Sequence, residues 1–140
     1  MKIVLDTNVL VSGILSPFQA PGEIVRLVSA GTFRLCYDAR LLSEYLNVLS
    51  RPKFDFNPAH IAALLDQIRA GGLSTVARPL QRKLPDPDDD PFLEVAIDGH
   101  AVCLVTGNLK HYPVSQRYGV KVFSPNDFLD FYRRSLVPSP

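Results

Sequence analysis

The stretch KIVLDTNVL, residues 2–10, decides the reading of this chain. Strand-like residues run into Asp6, Thr7 and Asn8, and the apolar pattern then resumes at Val9 and Leu10. A short, continuous apolar run is the habit of a strand covered on both faces, as in a parallel sheet. Asp6 at its carboxyl end has two readings. It can cap a following helix, or it can be the first piece of a site, because open parallel α/β sheets bind ligands outside the carboxyl ends of their strands. Thr7 and Asn8 are good caps themselves, so capping does not require the aspartate. Both readings stand at this point.

Outward from that stretch, strand patterns fall at 2–5, 34–37, 75–77, 101–105 and 120–123. Helical patterns fall between them, at 9–15, 21–29, 39–49, 58–70, 91–97 and 125–132. Asn57 and Ser124 are placed as caps, Pro21 as a first-turn residue, and Gly31, the Gly71-Gly72 pair and Gly99 as stops. Strands alternating with helices predict an α/β fold with a mainly parallel central sheet. The 140 residues suit one domain, expected over 1–135, with a short flexible C-terminal tail at 136–140. No repeat or linker interrupts it.

Composition narrows the function classes. An apolar fraction of 46% is that of an ordinary globular domain, and a net charge of +1 provides no global basic field for nucleic acid. Cys36 and Cys103 lie in apolar runs and make neither a disulfide framework nor a spaced metal site. Asp6 interrupts the first apolar run, which argues against a signal peptide, and no run approaches a membrane span. The expectation is a cytoplasmic protein.

Three further features bear on chemistry. Asp86, Asp88, Asp89 and Asp90 crowd the entry to the 91–97 helix. Helix capping and the helix dipole account for one or two of these carboxylates, and the remainder are either a solvated loop or a cation site. Glu44 falls at the border of the apolar face of the 39–49 helix, beside Leu41 and Val48. The turn Thr106-Gly107-Asn108 follows the fourth strand and opens onto the same sheet edge as Asp6. Carboxylates without Cys or His partners suit a hard cation, Mg²⁺ or Mn²⁺, of the kind that assists phosphodiester hydrolysis. No phosphate-binding glycine loop and no nucleophile elbow is present. His111 lies close to the strand edge.

Four segments, taken together, resemble the PIN-domain nucleases: DTNVLVSG at 6–13, LLSEYLNVLSRPKF at 41–54, DDDPFLEVA at 88–96 and LVTGNLKHYP at 104–113. Within that family the chain resembles the virulence-associated-protein-C-like toxins of type II toxin–antitoxin systems. The resemblance implies a three-layer α/β/α fold and a Mg²⁺- or Mn²⁺-dependent ribonuclease site of clustered acids. By position it implies Asp6, Glu44 and Asp90 as the catalytic, metal-holding carboxylates. The fourth position, often Asp in the family, is Asn108, which holds a metal directly or through water without adding charge. Asp89 is a neighbouring spare acid. Thr7, Asn8 and Thr106 would orient the carboxylates, and Arg51, Lys53, Lys110 and His111 would guide RNA. The implied reaction is hydrolysis of an RNA phosphodiester to leave a 5′-phosphate. Implied partners are an RNA substrate, a protein antitoxin and a second copy of the chain. The alternative is a catalytically weakened PIN-fold module that binds RNA or protein.

Overall fold

The computed structural model describes residues 1–138, so the last two positions of the expected 136–140 tail lie outside the described residues. Among the described residues five strands form one sheet: β1 (Lys2–Leu5), β2 (Arg34–Tyr37), β3 (Leu73–Ser74), β4 (Cys103–Val105) and β5 (Val122–Phe123). Six helices connect or flank them: α1 (Thr7–Leu15), α2 (Ala20–Ser29), α3 (Ala39–Leu49), α4 (Pro58–Gly71), α5 (Asp90–Asp98) and α6 (Pro125–Ser135). The apolar runs behave as their composition requires. Ile3, Val4 and Leu5 of β1 and Cys103, Leu104 and Val105 of β4 are all fully buried, the mark of central strands covered on both faces.

The strand order is β3-β2-β1-β4-β5, and every pair is parallel. The chain therefore steps outward from β1 to β3, then returns across the sheet to β4 and β5. Right-handed crossovers running in opposite directions place their helices on opposite faces. In keeping with this, α2 packs with α1, α4 and α6, while α5 packs on β1, β2 and β4. The fold is a three-layer α/β/α sandwich. Its strand order reverses between β1 and β4, where Ile3 pairs with Cys103 and Leu5 with Val105, and the crevice at their carboxyl ends is the natural place for a ligand.

The third strand is displaced from the expected 75–77. A Cβ at Gly72 would lie 2.4 Å from Ile68 O and 2.5 Å from Leu35 O, so only glycine lets α4 turn so tightly against β2. The strand consequently starts at once, at Leu73, and the chain leaves the sheet after Thr75 N donates to Tyr37 O. Residues 78–84 then run as a strap along α5. Asp90, Glu94 and Asp98 stand one turn apart on that helix and accept the backbone N–H of Leu84 (2.9 Å), Leu80 (3.0 Å) and Arg78 (2.6 Å) respectively. Three carboxylates thus replace the sheet partners an irregular segment lacks. Glu94 also accepts from Arg40 Nη1 at 2.7 Å, which ties the start of α3 to α5.

Candidate metal centre at the switch point

Asp6 stands where β1 gives way to α1, and it serves both purposes open to it. As the N-cap it accepts Thr7 N at 2.9 Å through Oδ1. Its other oxygen, Oδ2, accepts Thr106 Oγ1 at 2.9 Å from the turn after β4 and Tyr112 Oη at 3.1 Å. The carboxylate is buried, 5% exposed. Burial raises its pKa, and the three donors pull against that shift without cancelling it.

Glu44 reaches the same place from α3. Tyr45, fully buried beside it, donates its hydroxyl to Leu5 O at 2.6 Å and so pins α3 to the end of β1. The Thr7 hydroxyl donates to Glu44 Oε2. Glu44 is raised as well, first by burial and then, despite the Thr7 bond, by the negative charge of Asp6; Arg51 pulls it back slightly. Asn8 acts on the turn rather than on a carboxylate, its Oδ1 accepting Gly107 N at 2.8 Å. A Cβ on Gly107 would come within 3.1 Å of that oxygen, so glycine keeps the bond short. Thr106 Oγ1 in turn accepts Asn108 N at 3.0 Å, which makes the turn one hydrogen-bonded unit with Asp6.

The two acids at the entry to α5 face different ways. A 3-10 turn over Pro87–Asp89 leads directly into α5, which begins at Asp90 rather than at Pro91. Adjacent residues on a helix point about 100° apart. Asp89 therefore faces the cleft while Asp90 faces the strap, with Oδ1 on Leu84 N and Oδ2 3.6 Å from Lys83 Nζ. The 90-94-98 spacing carries the signal for this in the sequence, since it places Asp90 on one face with two other acids. Asp89 is 9% exposed, and its Oδ2 is buried without a well-directed hydrogen-bond donor, although His111 Nδ1 lies 2.9 Å away. Its pKa rises to about 6, through burial first and the charge of Asp6 second.

Asp6, Glu44 and Asp89 line one cleft of about 350 Å³, together with Thr7, Asn8, Val11, Ser12, Val48, Phe54 and His111. Asn108 does not line it. Its amide Nδ2 rests 2.8 Å from His111 Nε2, so Asn108 reaches Asp89 only through the imidazole. Asp86, Asp89 and His111 bring one donor atom each to within 4.8 Å of one another, a second grouping that shares Asp89. Arg51 opens instead onto an adjoining hollow with Leu46 and Asn47. Lys53 and Lys110 are exposed, Lys53 above the Phe54 ring. Tyr112, Val11, Ser12, Val48 and Phe54 are not among the site residues read from the sequence. Val48, one turn beyond Glu44, is legible in retrospect, whereas Tyr112 carries no local signal because its partner lies 106 residues away.

The donor chemistry fits a hard divalent cation: desolvated carboxylates with raised pKa values, gathered in one cleft, are what such an ion relieves. Among the described residues no helix is long and apolar enough to cross a membrane. No curated protein matches the chain. A family model described as PIN domain matches residues 2–110, most of the chain, and with the sheet order and acidic cleft already in place it shows that the chain belongs to the PIN-domain family.

Proposed function

We propose that this chain is a Mg²⁺- or Mn²⁺-dependent endoribonuclease, the toxin of a type II toxin–antitoxin pair. One observation carries the nuclease reading. Carboxylates from three distant parts of the sequence, Asp6, Glu44 and Asp89, meet in a single cleft at the switch point of a PIN-domain sheet. The toxin role, a protein antitoxin and a second copy of the chain as partners are proposed on the likeness of the motifs.

Asp6, Glu44 and Asp89 would hold the ion. When bound, a divalent cation polarises the phosphate and lowers the pKa of the attacking water. The protein's own part is to fix the carboxylates before substrate arrives. Thr106, Tyr112 and the Thr7 N–H leave Asp6 one orientation, and the Thr7 hydroxyl holds Glu44. Such fixed positioning is how a site avoids reorganising during reaction. His111 lies against Asp89 and Asn108 steadies His111, so the amide at the fourth position acts on the cleft at one remove. Arg51 and Lys53 put positive charge at the rim of an acidic cleft, where RNA phosphates would otherwise be repelled.

Cleavage of end-labelled RNA with Mg²⁺, Mn²⁺ or chelator tests this. Metal-dependent cleavage is expected, abolished in Asp6→Asn and Asp89→Asn and retained in Asp90→Asn. Loss in Asp90→Asn with retention in Asp89→Asn would restore the assignment made from sequence. The engagement of Asn108 with His111 favours one second reading, a weakened module that binds RNA or protein. Wild-type protein that binds RNA and never cuts it would establish that reading. Growth arrest on expression, relieved by a neighbouring gene product, tests the toxin role.

A further inference from the structure

One strained residue outside the cleft is not explained by burial. Arg117 to Val120 form a tight turn, closed by Val120 N on Arg117 O at 2.9 Å, and its central residues Tyr118 and Gly119 have φ of 52° and 81°. Two consecutive positive φ values mark a type I′ turn, whose first central position favours Asn, Asp or Gly; a bulky aromatic residue there is an outlier. Tyr118 is 46% exposed, so packing does not hold it in that conformation. What the ring gains is a grip on the strap. Its hydroxyl accepts Arg82 N at 2.8 Å and donates to Arg82 O at 3.0 Å.

That grip falls where the strap is least supported. Leu80 N and Leu84 N are bound by Glu94 and Asp90, but residues 81–83 between them are exposed. Among the described residues, the hydrogen bonds of 81–83 are those to Tyr118 alone. Hollows of about 350 Å³ and 250 Å³ border the strap there, and Gln81 and Tyr118 line both. The turn is anchored on its other side as well. Arg117 Nε donates to Tyr112 O at 2.8 Å, and the Tyr112 hydroxyl reaches Asp6. The turn therefore joins the residue that orients Asp6 to the strap whose bond to Asp90 sets the phase of Asp89. Backbone strain of this kind persists where surrounding bonds over-determine it, and it clusters where geometry matters to function.

Resting on the metal-site reading above, we propose that Tyr118 is a positioning residue for the metal centre: its hydroxyl braces the strap behind Asp89 against the turn that is anchored on Tyr112 behind Asp6, and so fixes the two carboxylates relative to each other. It acts through Arg82 from outside the cleft.

Two variants of the full chain test this. Tyr118→Phe removes both bonds and keeps the ring; Tyr118→Asn removes them and gives the turn a residue suited to positive φ. Both weaken Mn²⁺ binding about 3- to 10-fold by titration calorimetry, the size of effect that a supporting network has on a distant site. Tyr37→Phe removes a tyrosine bond to Arg69 O, away from the strap, and keeps wild-type affinity. In metal-free protein, amide exchange at Leu84 quickens in both Tyr118 variants by a larger factor than at Val4 in the core of β1. On RNA, kcat falls and KM stays within twofold. Mn²⁺ affinity within twofold of wild type in either Tyr118 variant, an equal loss in Tyr37→Phe, or a rise in KM at constant kcat would overturn the brace. If wild type takes up no Mn²⁺, the metal reading fails and exchange decides alone: selective quickening at Leu84 supports the brace, and equal factors at Leu84 and Val4 refute it.

Discussion

The acidic cleft should destabilise the metal-free protein, and Asp89 is the residue on which this is measurable. Its pKa rises from 3.8 to about 6, through burial and the neighbouring Asp6 charge. A carboxyl raised in this way binds its proton more tightly when folded than when unfolded. Its stabilising contribution is therefore complete below 3.8 and is lost as pH climbs through about 6. A shift of about two units corresponds to a ceiling of about 3 kcal/mol, and screening through the open cleft reduces that to about 1–2 kcal/mol. Asp89→Asn removes the charge and keeps the shape. In chelator at pH 7.5 it should raise stability by that amount, which for a domain of this size is about 3–7 °C in Tm. At pH 4 the gain should nearly vanish, because wild-type Asp89 is already protonated in the folded state. Calorimetry at both pH values in EDTA measures it. An Asp89→Asn variant less stable than wild type at pH 7.5, or equally stabilised at pH 4, would refute the repulsion argument.

Adding Mn²⁺ should invert that order: at about 100 times its dissociation constant the ion stabilises wild type by about 2.7 kcal/mol and Asp89→Asn far less, read as paired thermal shifts. The wild-type shift should be larger at pH 7.5 than at pH 5, since Asp6, Glu44 and Asp89 all have raised pKa values and must release protons to bind the ion. Asp90→Ala leaves Leu84 N without its buried acceptor and should cost about 1–3 kcal/mol in urea unfolding, while lowering Mn²⁺ affinity through the loosened strap by less than Asp89→Asn does. Tyr112→Phe removes one of three donors to Asp6, costing about 1 kcal/mol, and should lower kcat more than it raises KM, because it loosens the carboxylate rather than RNA binding.

The architecture was legible because its signals are local. Two-sided burial of 3–5 and 103–105 reads directly as continuous apolar sequence, and alternation with helices gives the parallel sheet. The caps at Asn57 and Ser124 are where residue chemistry places them, accepting Ala59 N and Asp127 N. The site was legible only as far as the strand ends. Asp6 and Thr106 follow from topology, because any residue after a central strand opens onto the switch point. Tyr112 and Phe54 do not, since each follows or ends a short 3-10 turn that no apolar period announces, and Tyr112 meets Asp6 across 106 residues.

Asp89 and Asp90 show where the boundary falls. Composition identified the acidic entry to α5, but which carboxylate faces the cleft depends on a single residue of helical phase. That phase is fixed by the strap. Leu84, Leu80 and Arg78 offer backbone N–H groups to Asp90, Glu94 and Asp98, and Glu94 further engages Arg40 at the start of the helix that carries Glu44. The strap thus holds α5 at the rotation that points Asp89 inward, and the Glu94–Arg40 pair sets α3 against it. Two of the three cleft acids are positioned by a network that never enters the cleft. Loosening the strap should therefore weaken the site as a whole while leaving Asp6, anchored from β4, in place.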